Sequence, residues 1–120
     1  MRLKTFNKET GRLGEQKAAE YLKKKGYKIV EQNYRTRYAE IDLVAKEKDV
    51  LVIVEVRTKI GEQFGTPEET LNGRKLYKVK RNAMAYAAHA RWNKLYRVDA
   101  VCIVLDENHK VARINHYENI

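Results

Sequence analysis

The chain has 120 residues, 43% of them apolar, so we expect residues 1–120 to form one domain with a core of ordinary size. The 25 lysines and arginines outnumber the 16 aspartates and glutamates, and the net charge of +9 favours an anionic partner, most often nucleic acid, over a merely solvated basic surface. Without a signal-peptide core or an apolar run of roughly 20 residues, we expect a cytoplasmic protein with no membrane partner.

The first half of the chain predicts one helix and three strands. Apolar residues recur at helical spacing from Gly11 to Lys25, and Gly26 follows as a C-terminal stop. The segments YKIVEQNYR, EIDLVA and VLVIVEVRT then have the composition of strands, with the polar turn KEKD between the last two. These three strands predict an antiparallel meander.

The second half predicts helix and then strand again. Thr66, Pro67 and Glu69 combine a cap, a first-turn proline and a capping box, so a second helical region is expected to start there. An Asn-Gly dipeptide at positions 72 and 73 interrupts it, and the longest helix is then expected to run to about Trp92. The apolar stripe of that helix consists of Leu76, Val79, Ala83, Ala87 and Ala90.

Two more strands, YRVDAVCIVL and VARINHYE, complete the order α-β-β-β-α-β-β. Because a crossover helix permits a parallel neighbour, this order predicts an α/β fold with a mixed sheet and helices packed against it. The only cysteine, Cys102, lies in an apolar run and is interpreted as a buried structural thiol. The three histidines, at positions 89, 109 and 116, lack ligand-like spacing and are interpreted as incidental.

Two carboxylates interrupt the apolar strands EIDLVA and VLVIVEVRT. If the turn comprises residues 47–50, Asp42 faces Glu55 directly and Glu40 faces Arg57, on one face of the hairpin. Lys59 lies beyond them on the same face. The opposite face, expected to pack on the core, carries Ile41, Leu43, Val54 and Val56.

Like charges placed directly opposite are destabilising unless a cation or a proton lies between them. A divalent metal is an economical compensation, since carboxylate oxygens suit Mg²⁺ and Mn²⁺. The alternative is a solvent-facing hairpin in which Arg57 neutralises Glu55 or Glu40. A register slip of one residue would remove the metal site.

Asp42, twelve intervening residues and then Glu55-Val56-Arg57 resemble the PD-(D/E)XK nuclease motif. The segments GRLGEQKAAEYLKKKGYKIVEQNYR, EIDLVA, VEVRTK, GTPEETLNGRK and RVDAV together resemble the YraN-type family of small uncharacterised proteins, which is similar to archaeal Holliday-junction resolvases. The resemblance covers about residues 11–101. It implies a restriction-endonuclease-like mixed β-sheet flanked by helices.

The resemblance also implies a metal-dependent endonuclease that hydrolyses phosphodiester bonds of DNA, including branched DNA, with Mg²⁺ or Mn²⁺ as cofactor. Asp42 and Glu55 match the two metal-binding carboxylates, and Glu15 matches an additional acidic residue on the first helix. This role for Glu15 requires the N-terminal end of that helix to pack beside the two strands. A symmetric homodimer is expected if the protein cuts junctions, because two strands are then cleaved together.

Arg57 stands where the motif has lysine, and the two side chains are not interchangeable. Lys59 follows on the same face, so the order R-T-K is interpreted as an exchange of the usual K-T-R. Either cation is expected to support the transition state electrostatically. Lys75 matches a further lysine expected to contact phosphate, and Asp99 matches another position of the family, with an ion pair to Arg97 as the alternative.

The helix that follows the Asn-Gly dipeptide carries a basic stripe for phosphate contacts. Its residues are Arg74, Lys78 and Arg81, at i, i+4 and i+7, beside Lys75 and Lys80. The alternative is a solvated face opposite the apolar stripe. Tyr34, Tyr38 and Tyr77 either stack on unpaired bases or pack. Two other functions stay open: a nucleic-acid-binding module without cleavage, because of Arg57, and an assembly protein whose carboxylates merely pair.

Overall fold

The structure, a computed structural model, describes the backbone of residues 2–120 and the side chains of residues 8–120. The elements are α1 (Arg2–Lys24), β1 (Lys28–Arg35), β2 (Glu40–Glu47), β3 (Val50–Ile60), a 3-10 turn (Glu68–Thr70), α2 (Gly73–His89), β4 (Tyr96–Leu105) and β5 (Val111–Tyr117). The expected order α-β-β-β-α-β-β and the α/β class are confirmed.

The five strands form one sheet in the order β1-β2-β3-β4-β5. The first three make the expected antiparallel meander, and β4 and β5 are also antiparallel. Strands β3 and β4 run parallel, since α2 carries the chain back before β4 begins. The sheet is therefore mixed.

Helix α1 packs on one face of the sheet and α2 on the other. Alternate residues of β3 separate the two cores, because neighbouring side chains in a strand point to opposite faces. The core on the α1 side contains Ala18, Leu22, Leu43, Val52, Val54 and Val101. The core on the α2 side contains Val44, Ile53, Val79, Ala83, Tyr86 and Val98.

The helices differ from the prediction in three ways. The longest described helix is α1, with 23 residues, and not α2, with 17. The helical region expected at Thr66 is only a three-residue 3-10 turn, although its capping box forms, with the Glu69 N–H donating to Thr66 Oγ1 at 3.2 Å. Helix α2 ends at His89 rather than Trp92, because Arg91 has a left-handed φ of 54° and Ala90 is exposed.

No helix in the part of the chain that the structure describes is long and apolar enough to span a membrane. Cys102 is buried in β4, and burial raises the pKa of its thiol to about 11, so it remains protonated at neutral pH. This agrees with a structural thiol.

Candidate metal centre

The β2–β3 ladder opens at the predicted carboxylates. Its paired stretch runs from Glu47 opposite Val50 to Leu43 opposite Val54, so the expected register is confirmed there. Asp42 and Glu55 lie just beyond the last pair. The two strands separate at this point, and the Val56 N–H donates at 2.8 Å to Asp42 Oδ2 instead of to a carbonyl of β2.

An asparagine in a left-handed conformation accompanies this opening. Asn33, with a φ of 51°, lies between the paired residues Gln32–Leu43 and Tyr34–Ile41 of β1 and β2. Asn is among the few residues that tolerate this conformation.

Two parts of the predicted hairpin are wrong. Ile41 packs in the core on the α2 side whereas Leu43 packs on the α1 side. The expected direct pairs Asp42–Glu55 and Glu40–Arg57 lie beyond the paired stretch, and Glu40 contacts Asn33 instead.

Asp42 is half-buried among other carboxylates. Burial, followed by the negative charges of Glu55 and Glu15, raises the pKa of Asp42 to about 8. The hydrogen bond from the Val56 N–H opposes this rise, and a hydrogen bond between the Asp42 and Glu15 side chains adds to it. In the absence of metal, Asp42 therefore keeps a proton near neutral pH.

Glu55 is only 7% exposed and is compensated by two cations. Arg57 Nη1 and Lys75 Nζ each lie 3.3 Å from Glu55 Oε2. Arg57 is held by a second contact, since its Nε donates at 2.7 Å to Thr70 Oγ1 in the 3-10 turn. The predicted Arg57–Glu55 pair is thus present, and Lys75, from the start of α2, joins it.

Glu15 reaches this site because α1 approaches the sheet closely. A Cβ atom on Gly14 would lie 2.8 Å from Thr58 Cβ, so only glycine allows the helix to pass so near β3. Asn33 Nδ2 donates at 2.7 Å to Glu15 Oε1 and lies 3.4 Å from Glu40 Oε1. The packing that the role of Glu15 requires is therefore present.

Where the sheet opens, Asp42 of β2 thus interacts with Glu15 of α1 and with Glu55 of β3. Across residues 8–120, however, no three acidic, histidine or cysteine side chains already stand close enough together to hold a metal ion. The negative charges of Glu15 and Glu55 both raise the pKa of Asp42, and Glu55 is also paired with Arg57 and Lys75.

The remaining predicted site residues are Lys59, Arg74, Lys78 and Arg81. Lys59 Nζ is directed toward Gly65, in the segment after β3, and lies 3.7 Å from where a Cβ on that glycine would be. Lys78 lines a cavity of about 70 Å³ together with Glu55 and Lys75. Arg74, Lys78 and Arg81 are all exposed on α2, as expected for the basic stripe, and their role in nucleic-acid binding stays a prediction.

Two asparagines near the site, the buried Asn82 and the exposed Asn33, were not singled out from the sequence. Asn82, 3% exposed, interrupts the predicted apolar stripe of α2 and accepts a hydrogen bond from Thr36 Oγ1. Asn33, in the middle of a strand, is the other. The signal in both cases is an asparagine where the pattern calls for an apolar or β-branched residue, because asparagine is depleted in strands and costly in a core.

A second polar cluster lies on the α1 side of the sheet. Asp99, fully buried, pairs with Val54 of β3, which places it on the α1 side. It accepts hydrogen bonds from Arg97 Nε at 2.9 Å and from the Asn119 N–H at 3.0 Å, and His116 Nε2 lies 2.8 Å away. Although burial opposes the effect, hydrogen bonds from His116, Arg97 and Asn119 lower the pKa of Asp99.

Of the two interpretations of Asp99, the structure shows the ion pair with Arg97. His116 is not incidental, because its buried ring joins Asp99 to Lys25, whose Nζ lies 2.8 Å from His116 Nδ1. The cluster ties β4 and β5 to the end of α1 and has a structural role.

Comparison with known proteins places these residues in a recognised family. The uncharacterised protein family UPF0102 matches residues 14–103, a range that includes all three carboxylates. A UPF0102 protein of Syntrophomonas wolfei is 42% identical over 115 residues, which span 95% of this chain and 98% of that protein. One of Alkaliphilus oremlandii is 43% identical over 119 residues, with the same two coverages, and one of Pelotomaculum thermopropionicum is 39% identical over 110 residues, or 91% and 92%. The chain belongs to the UPF0102 family.

Proposed function

We propose that the protein is a metal-dependent endonuclease of the PD-(D/E)XK type that hydrolyses phosphodiester bonds of DNA. The observation that carries this proposal is the interaction of Asp42 with both Glu15 and Glu55 where the sheet opens. Three carboxylates brought together by three different elements are costly to fold. A cation that binds there would offset that cost.

The donor set fits Mg²⁺ or Mn²⁺, because both prefer carboxylate oxygens and retain water. Glu15, Asp42 and Glu55 would hold the ion, with Asp42 giving up its proton on binding. The bound metal would supply two things, a water of lowered pKa and neutralisation of charge at the scissile phosphate. Asn33 would keep Glu15 directed toward the site through its hydrogen bond.

Arg57 and Lys75 would stabilise negative charge on the phosphate. Both are already positioned at the carboxylates, Arg57 through Thr70 and Lys75 through its place at the start of α2. A fixed cation needs no reorganisation when charge develops in the transition state. Lys59 is less well placed for this role, because its ammonium group lies beside Gly65.

A second candidate is a nucleic-acid-binding module that does not cleave. The observation that favours it is the neutralisation of Glu55 by two cations without any metal. A divalent ion must displace those contacts to bind. If they are stronger than the metal contacts, the basic surface can still bind phosphates, and affinity will fall with salt.

The two candidates are separated by titrating Mn²⁺ and Mg²⁺ into wild-type protein, Asp42→Asn and Glu55→Gln by calorimetry. The same proteins are assayed for cleavage of single-stranded, duplex and four-way DNA. Asp49→Asn is the matched control, since Asp49 is an exposed carboxylate in the β2–β3 turn with only a 3.8 Å ion pair to Lys94. The nuclease proposal expects metal binding and cleavage to vanish together in the two site variants and to persist in the control.

DNA binding that is equal in chelator, in Mn²⁺ and in Asp42→Asn, with no cleavage of any substrate, would contradict the nuclease and support the binding module. Weak binding that does not respond to salt would contradict both, because phosphate contacts must weaken as salt rises. In that case the carboxylates are a paired structural cluster.

A further inference from the structure

The outward side of α2 is strongly basic. The helix carries Arg74, Lys75, Lys78, Lys80 and Arg81, and its 17 residues include no aspartate or glutamate. Such a helix is self-repelling unless an anionic partner covers it. The charge alone does not say which part of a polyanion it meets.

Exposed aromatic rings lie among these cations. Tyr77 on α2 is 66% exposed and Tyr38, in the β1–β2 connection, is 43% exposed. Arg81 Cζ lies 4.5 Å from the centroid of the Tyr38 ring and 5.9 Å from that of Tyr77, and Arg37 Cζ lies 5.3 Å from Tyr38. We call these four residues, Arg37, Tyr38, Tyr77 and Arg81, the Tyr–Arg face.

Cation–π contacts fix the two guanidinium groups on Tyr38. They also occupy the Tyr38 ring, which leaves the more exposed ring of Tyr77 as the open stacking surface. A groove of about 440 Å³, lined by Tyr38 with Arg35, Arg37 and His89, continues from this face between α2 and the β1–β2 connection. Its volume is in the range of sites that hold small ligands.

We propose that the Tyr–Arg face binds unpaired nucleotides of a nucleic acid, with Tyr77 stacking on a base and Arg37 and Arg81 contacting the neighbouring phosphates. A stacking ring selects unpaired nucleotides because the bases of a duplex already stack on one another. Basic side chains interleaved with an open aromatic ring fit that partner better than a protein surface, since the helix offers no acidic group for a reciprocal ion pair.

Two residues of the Tyr–Arg face, Tyr77 and Arg81, lie on the same helix as Lys75, which contacts the candidate metal centre. Arg81 follows Lys75 by six residues on α2, about 9 Å along the helix axis, and Lys75 forms an ion pair with Glu55. A strand bound to the Tyr–Arg face would therefore reach the candidate metal centre within a few nucleotides. The inference rests on the proposed function and adds a substrate class to it, nucleic acid with a single-stranded segment beside the cut.

The test measures binding without cleavage. Fluorescein-labelled oligothymidylate and a blunt duplex of equal length are titrated with the full chain in EDTA and followed by fluorescence anisotropy. The variants are Tyr77→Ala, Tyr77→Phe, which keeps the ring, and Phe64→Ala, which removes a 90% exposed aromatic ring outside the face. Circular dichroism verifies folding, and we expect all three variants to fold because the rings are exposed.

We expect Tyr77→Ala to weaken single-strand binding at least about fivefold, the change expected from the loss of one base stack, with less than about a twofold effect on the duplex. Tyr77→Phe and Phe64→Ala should bind the single strand as tightly as wild type. Arg81→Lys keeps the charge but loses the guanidinium group that lies over the Tyr38 ring, and it should weaken single-strand binding more than duplex binding.

Equal losses for single strand and duplex, an equal loss in Phe64→Ala, or no loss in Tyr77→Ala would overturn the assignment. So would a concentration-dependent dimer that Tyr77→Ala dissociates while single-strand affinity stays unchanged, because the face would then contact a second copy of the chain. Failure of the nuclease proposal gives a different result. In that case the wild type would not cleave DNA in Mn²⁺, whereas its binding to the single strand in EDTA would still depend on Tyr77.

Discussion

Replacing Asp42 with asparagine should stabilise the metal-free protein above neutral pH and leave its stability in acid unchanged. The pKa of Asp42 is about 8 in the folded chain against an ordinary value of 3.8, because of burial, Glu55 and Glu15. The folded state therefore holds a proton that the unfolded state releases between these two values, and the stability of the wild type falls as pH rises through that window. Asparagine does not titrate and still offers an oxygen to the Val56 N–H.

The size of the effect follows from the same two values. The interval from 3.8 to about 8 corresponds to at most about 6 kcal/mol, at ~1.4 kcal/mol for each pH unit. Because Asp42 is only half-buried and shares its charge interactions with Glu55 and Glu15, relaxation and water will reduce this. We expect Asp42→Asn to exceed the wild type by about 1 to 3 kcal/mol in free energy of unfolding above pH ~8.

Urea unfolding in EDTA measures this, with fluorescence of Trp92, the single tryptophan, which packs against the core on the α2 side. The two proteins are compared at about pH 5, near the lower end of the titration window, and at about pH 8.5, above its upper end. Mn²⁺ should then stabilise the wild type and not the variant, since a ligand of the folded state alone raises stability. A variant less stable than the wild type by the same amount at both pH values would refute the reasoning, because Asp42 would then be a simple hydrogen-bond acceptor.

Two further predictions concern the packing that places the site. Gly14→Ala should destabilise the protein by about 1 to 3 kcal/mol in thermal or urea unfolding, because the added methyl group collides with Thr58. The matched Gly11→Ala has open space around the added methyl group and should stabilise the protein by up to about 1 kcal/mol. Equal effects of the two substitutions would show that α1 does not approach the sheet as described. Asp99→Ala should destabilise by about 2 to 4 kcal/mol, because it removes the buried acceptor of Arg97, His116 and the Asn119 N–H. It should leave the Mn²⁺ affinity of the folded fraction unchanged in calorimetry, since these partners do not include the three carboxylates; a parallel loss of metal binding would contradict its structural role.

The sequence predicted the elements and the meeting of Asp42 with Glu55 because both depend on local rules. The period of two in a strand and the length of the turn between β2 and β3 are enough to set the register as far as Leu43 and Val54. The capping box at Thr66 also forms, but the helical segment after it is only the three-residue 3-10 turn. The hydrogen bonds of a capping box do not supply the packing that a longer helix needs.

The parts that could not be predicted depend on contacts distant in sequence. Asn33 adopts a left-handed conformation and donates to Glu15 of α1, and no strand pattern signals that geometry. Nothing in the sequence indicates that Gly14 packs against Thr58 of β3, because the two residues are distant in the chain. The pairing of Lys75 with Glu55 requires α2 to begin beside β3, which is a property of the crossover and not of either segment.

The two cations at Glu55 lead to a last prediction. Arg57 and Lys75 neutralise Glu55 when no metal is present, and the proposed function needs the same two groups at the phosphate. A divalent ion that binds Glu55 releases these cations, and a phosphate that binds them releases Glu55. Metal and DNA should therefore bind cooperatively, and by linkage each should tighten the other by the same factor, about 5- to 150-fold.

Calorimetry measures this coupling when Ca²⁺ is titrated into the protein with and without four-way DNA. Ca²⁺ is a hard cation that also prefers oxygen ligands, and the measurement does not depend on cleavage of the DNA. Lys75→Gln removes one of the shared cations and should bind metal alone with different affinity but lose most of the coupling, whereas Lys80→Gln, on the same helix and outside the ion pairs of Glu55, should retain it. Metal and DNA that bind independently in the wild type would mean that Glu55 keeps its cations throughout, and the carboxylates would then be a charge-balanced structural cluster beside a nucleic-acid surface.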